Sequence, residues 1–203
     1  IYGPDQQSRV FDPDDPDPDN PTRVFRWLLR RSHDDKGNVI VYEYAGEDDA
    51  NVDRGQSHER NRTRTANRYL ERVLYGNRTS RLARTDWESD GWLFEVVFDY
   101  DEDHLRELPW DLAVPAGEQH HRVQASAQPG AAWAARPDAF SSYRSGLEVR
   151  TYRRCRRVLM FHHFDELTGE IGGEPYLVRA TEFDYGDLDA PVSVEDELSH
   201  PGS

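Results

Sequence analysis

Residues 150 to 164 read RTYRRCRRVLMFHHF, which brings five arginines, the single cysteine and two adjacent histidines into one run. Val158 to Phe161 is apolar at every position, the pattern of a short strand covered on both faces. Side chains alternate across a strand, so Arg154 and Arg156 share one face and Arg153 and Arg157 the other. The run therefore predicts a packed strand with Val158, Leu159, Met160 and Phe161 nearly inaccessible. It also predicts that Arg154, Arg156 or Arg157 meets a carboxylate on the strand closing the hairpin, Glu182 or Asp184.

Chemical readings of the same run are weaker. His162 and His163 are neighbours that point to opposite sides of a strand, so they cannot chelate one ion together. The same holds for His120 and His121, and no metal ligand is assigned. The arginines beside Cys155 could lower its thiol pKa, but no base stands at a defined spacing, and an inert packed thiol is expected.

Working outward, a similar unit occurs three times, at 23–48, 72–103 and 156–187. Each is an Arg-Val-apolar run, a turn rich in Gly, Asn or Asp, and a second run ending in aromatic-acid-Tyr. The second runs alternate: Phe94, Val96, Phe98 and Tyr100 share a face opposite Glu95 and Asp99. Phe183 and Tyr185 oppose Glu182 and Asp184, and Tyr42 and Tyr44 oppose Glu43. Aromatic and β-branched alternation between turn signals predicts a mainly β protein of repeated antiparallel hairpins forming large sheets, with long irregular loops.

The turn DDKGN (34–38) needs positive φ at Gly37 or Asn38. Ala66, Tyr69, Leu70, Val73 and Leu74 also fit helical spacing, but YGN (75–77) closes the segment as a turn would, so a strand from Tyr69 to Tyr75 is expected. The hairpin units then occupy 23–103 and 140–187. An acidic, proline-rich loop fills 1–22, a loop or insertion with four prolines fills 104–139, and an acidic tail fills 188–203.

The chain of 203 residues carries 39 Asp and Glu against 25 Lys and Arg, a formal charge of -14. That balance opposes duplex binding, which needs a basic face to displace counterions, so no nucleic-acid partner is expected. Nothing approaches the ~20 apolar residues of a membrane span, and direct membrane insertion is not expected. One cysteine leaves no internal disulfide framework. Starting at Ile1, with Met160 its only methionine, the chain is expected to be an internal piece of a longer protein.

Catalytic and cofactor motifs are missing. Neither GxxxxGK[ST] nor GxSxG occurs, and DPDDPDPDNP (12–21) lacks the Gly and closing Glu of a calcium loop. Glu195 and Glu197 form the Glu-x-Glu pair of ADP-ribosyl transfer, but in a tail without strand pattern, so a solvated tail is the better reading. No catalytic, cofactor-binding or metal residue is assigned. A carbohydrate-binding module is the alternative, with Trp110 and Trp133 among five tryptophans available to stack on sugar rings.

NRTRTANRYLERVLYGN, WLFEVVFDY and above all FSSYRSGLEVRTYRRCRRVLMFHHF resemble the N-terminal SpvB-type domain, found in the Salmonella virulence plasmid B protein and in B components of insecticidal toxin complexes (Tc toxins). The likeness runs from about Tyr2 to Tyr185, so 1–203 is read as a fragment of one such β-domain. The resemblance implies a secreted, non-catalytic structural domain, part of a β-rich shell around a toxic effector. Implied partners are the remaining domains of the parent toxin, a β-propeller and RHS repeats, together with other toxin-complex subunits. It also implies that any ADP-ribosyltransferase activity lies in a separate domain. The acidic loop at 12–21 and the insert at 104–139 depart from the family pattern.

Overall fold

The computed structural model describes residues 1–109, 123–164 and 175–186, and these are almost entirely β. Among the described residues twelve strands occur, in chain order: β1 Arg9–Phe11, β2 Val24–Trp27, β3 Arg31–His33, β4 Val39–Gly46, β5 Arg68–Asn77 and β6 Trp92–Asp99. They continue with β7 Leu105–Glu107, β8 Val123–Ala125, β9 Phe140–Ser142, β10 Val149–Thr151, β11 Arg157–His162 and β12 Tyr176–Glu182. Six form one antiparallel sheet in the order β12-β11-β6-β5-β4-β3, and the others pair as β1-β2, β7-β8 and β9-β10.

The expected hairpins β5-β6 and β11-β12 are present, with Arg72 opposite Val97 and Arg157 opposite Glu182. The segment 69–75 is strand, not helix. The first unit is only partly as expected. Its tight turn joins β3 to β4 with Gly37 at φ 94°, but Val24–Trp27 leaves this hairpin and pairs with β1. The N-terminal segment takes the backbone bonds there: Leu28 N–H donates to Ser8 O at 2.8 Å and Gly3 N–H to Leu28 O at 2.9 Å.

Residues 1–22 are not loop throughout, because β1 lies at Arg9–Phe11, whereas 12–21 is without strand and mostly exposed. Val10 and Phe11 are buried, and Asp15 is buried as an acceptor for the Thr22 and Arg23 backbone N–H groups at 3.0 and 3.2 Å. Within 104–139, β7 pairs with β8, and Ala127 and Trp133 are buried; residues 110–122 lie outside the described set.

The faces of the large sheet differ from the expectation in an informative way. Glu95, Val97 and Asp99 of β6 are buried, while Phe94, Val96 and Phe98 are only half-buried. The same parity holds on β11: Leu159 and Phe161 are fully buried, but Val158 and Met160, expected to be inaccessible, are half-buried. Register explains this, because Leu159 lies opposite Val97 and Phe161 opposite Glu95. Ala127 seals that face, with Leu105, Ala125 and Leu177 packed against it. On the other face Val158 lies opposite Phe98 and Met160 opposite Val96; Phe98 packs against the Tyr69, Tyr100 and Trp133 cluster, while Val96, Val158 and Met160 are only partly buried among the described residues.

Candidate functional site

The arginines of the 150–157 run organise a polar framework beside and beneath the sheet. Arg157 lies between strands, 3.0 Å from Asp99 Oδ2 and 3.1 Å from Glu182 Oε1, which is the expected bond to the closing strand. Arg156 Nε stands 3.9 Å from the same Glu182. Arg154 stacks over Tyr185 at 4.6 Å, and Tyr185 OH donates to Cys155 O at 2.6 Å. Asp184 holds the turn instead, accepting from Gly186 N–H.

Arg153 and Arg150 are buried and reach much further along the chain. Arg153 donates to both Glu47 oxygens and to the carbonyls of Ala50, Trp133 and Ala134, and it stacks on Trp133 at 4.5 Å. Arg150 pairs with Glu59, whose second oxygen accepts from Tyr152 OH at 2.5 Å. Glu148 accepts from Arg62, Thr63 N–H, Ser141 and Tyr143. Burial alone would push Glu59 and Glu148 upward, but these hydrogen bonds outweigh it and hold both below the ordinary carboxylate range. Together the pairs clamp the long β4–β5 connection onto the 133–153 segment.

Cys155 is half-buried, its Sγ set 3.2 Å from Arg157 O. Burial, with Asp99 nearby, pushes the thiol up to about 11, so the adjoining arginines do not activate it. His162 and His163 diverge: His162 meets Phe94 edge-on at 5.0 Å, and His163 Nε2 lies 2.8 Å from Glu95 Oε2. On its other side Glu95 pairs with Arg72 Nε at 2.9 Å. Trp133 is a core residue whose Nε1 donates to Asp48 at 2.7 Å, which removes it as a sugar-stacking platform. His120, His121, Trp110, Glu195 and Glu197 lie outside the described residues.

One grouping has no counterpart in the sequence expectations. Asp99, Glu102 and His104 each offer a ligand atom, and these atoms lie within 4.8 Å of one another. The only sequence signal was a histidine closing DYDEDH (99–104), at the end of a run read as a hairpin terminus.

Fold and site define a class: an antiparallel β-sheet domain pinned by buried ion pairs. The model of the Salmonella virulence plasmid 65kDa B protein family, SpvB, matches residues 1–164, and the chain belongs to that family. It is 39% identical over 158 residues to the mono(ADP-ribosyl)transferase SpvB of Salmonella typhimurium (strain 14028s / SGSC 2262), covering 76% of this chain and 24% of that protein. The chain thus spans about a quarter of the length of the curated relatives it matches. Among solved structures, the N-terminal domain of effector protein SpvB from Salmonella typhimurium strain LT2 is 32% identical with a TM-score of 0.66, over 90% of this chain and 57% of that one. TcdB2-TccC3 without its hypervariable C-terminal region is 32% identical with a TM-score of 0.68, over 91% of this chain and 8% of that one. The Photorhabdus luminescens Tc holotoxin pore gives 32% and 0.66, with the same two coverages.

Proposed function

We propose that this domain is a non-catalytic wall element of an exported bacterial toxin, contributing to a β-shell that encloses or carries an effector. The observation that carries this reading is the one-sided sheet. Val96, Phe94, Val158 and Met160 form an apolar face that is only partly buried across adjoining strands, and a face of that kind offers a surface for further packing. Its partners in this reading are β-structure of the parent toxin and other toxin-complex subunits. The transferase activity that names the relatives is assigned to the part of them that this chain does not match.

The test uses the parent toxin. Met160→Glu and Val96→Glu, placed on the open face, should leave the domain folded by circular dichroism but expose the effector to protease. Full protection of the effector in both variants would sink the wall reading. Separately, the isolated chain mixed with NAD and cell extract should transfer no ADP-ribose above a blank.

A further inference from the structure

We propose that Asp99, Glu102 and His104 form a binding site for a divalent transition-metal ion of the zinc class, one ion per chain. The three residues end β6 and begin the turn into β7, and Asp99 and His104 are buried. Their ligand atoms lie within 4.8 Å of one another, a spacing that a single ion can bridge. An ion ~2.0–2.2 Å from each would be reached by side-chain shifts of under ~1 Å.

The orientation of His104 is the independent sign of a ligand. Its side chain is 2% exposed, and Nδ1 lies 2.9 Å from the Ser126 carbonyl, which can only accept, so Nδ1 carries the proton. A backbone carbonyl on one ring nitrogen is the common support for an imidazole whose other nitrogen binds metal. Here Nε2 faces the Glu102 carboxylate: Oε2 stands 3.8 Å away, longer than an ordinary hydrogen bond and close to the edge between two ligands of one ion.

Charge in the neighbourhood favours a cation. Arg157 is shared between Asp99 and Glu182, and Arg72 is taken by Glu95. Glu102 has no guanidinium partner among the described residues. Asp99 Oδ1 accepts the Glu102 N–H at 2.9 Å, so its remaining lone pairs are the ones available to an ion. One imidazole and two carboxylates suit zinc and its first-row neighbours, whereas calcium takes oxygen ligands only. The occupant that competes for the same place is a proton on Nε2, because Glu102, the Ser126 carbonyl and Asp99 together outweigh burial and raise the His104 pKa.

The test is a zinc titration of the metal-free, untagged chain against a chromophoric chelator, with melting temperature followed in parallel. One zinc should bind per chain and raise the melting temperature by mass action, and calcium should not. The isosteric Glu102→Gln and the polar His104→Asn should each weaken zinc at least about tenfold. Circular dichroism establishes that each variant is folded, and ligand-field absorption of a cobalt-loaded sample reads coordination independently of stability. Cys155→Ser and His163→Ala should keep full affinity. Absence of one-to-one zinc binding, survival of that binding in either folded site variant, or its loss in His163→Ala overturns the proposal. In the first case the cluster is a buried imidazolium beside two carboxylates.

Discussion

The two faces of the β6–β11 seam are built from the same two strands, yet they are opposite in composition and in burial. One holds Val97, Leu159 and Phe161 together with the carboxylates of Glu95 and Asp99, and it is sealed. The other is wholly apolar from Val96 through Met160 and stays half-open. Polarity therefore does not mark the solvent side of this sheet. A carboxylate enters the interior when its charge is met there, as Arg72 and His163 meet Glu95 and Arg157 meets Asp99. The open face is apolar without being core.

Substitutions can break that contrast, and the largest effect is expected where a charge loses its partner. Glu95→Ala leaves the Arg72 guanidinium beneath the sheet without its carboxylate and should cost ~3–5 kcal/mol in denaturant unfolding. Leu159→Ala, at a fully buried position on the same face, should cost ~2–5 kcal/mol by cavity formation. Met160→Ala, one residue along on the open face, should cost less, under about 1.5 kcal/mol, since part of its side chain stays in contact with water in the folded protein. Equal losses at 159 and 160 would show that both faces are sealed.

Acid sharpens a second contrast, between the apolar sheet and the clamps of the β4–β5 connection. Glu59 and Glu148 are depressed below their unfolded values. Their contribution to stability is therefore complete above about pH 5 and lost as pH falls through the folded-state values. Melting temperature should drop from about pH 5 towards pH 3, and more shallowly in a Glu59→Gln, Glu148→Gln double variant. Parallel curves for the two proteins would place the acid sensitivity elsewhere. The smallest effect is expected at Cys155, where replacement by Ser should move stability by no more than about 1 kcal/mol and leave assembly of the parent toxin intact.

The strands were legible because alternation is local. Phe94 to Tyr100 and Val158 to Phe161 carry a period-two or doubly apolar signal within a few residues. Which face is covered was not legible, because the cover comes from Leu105, Ala125 and Ala127, outside either hairpin. The Arg157–Glu182 bond was readable as a cross-strand neighbour. Arg153–Glu47, 106 residues apart, carries no local signal at all. Val24–Trp27 went astray for the same reason, since its partner is a three-residue strand inside a proline-rich acidic stretch. His104 stood in plain view, but its meaning rests on the Ser126 carbonyl, placed by the β7-β8 pairing.

The strand order carries a kinetic consequence. β3 through β6 pair in sequence order, and so do β11 and β12, but the β6–β11 junction joins residues at least 58 apart, the separation of Arg157 and Asp99. Closing such a loop is entropically slower than zipping a neighbour, although the penalty grows only with the logarithm of its length. The meander β3–β6 and the β11-β12 hairpin should therefore acquire protection first, each as a free-standing piece, with their union as the late step. Until that union Leu159 and Phe161 remain in water, so the chain passes through a sticky half-assembled interval during its synthesis. Pulse-labelled hydrogen exchange can see the order directly: simultaneous protection of Val73 and Leu159 amides would mean that the sheet closes as one unit.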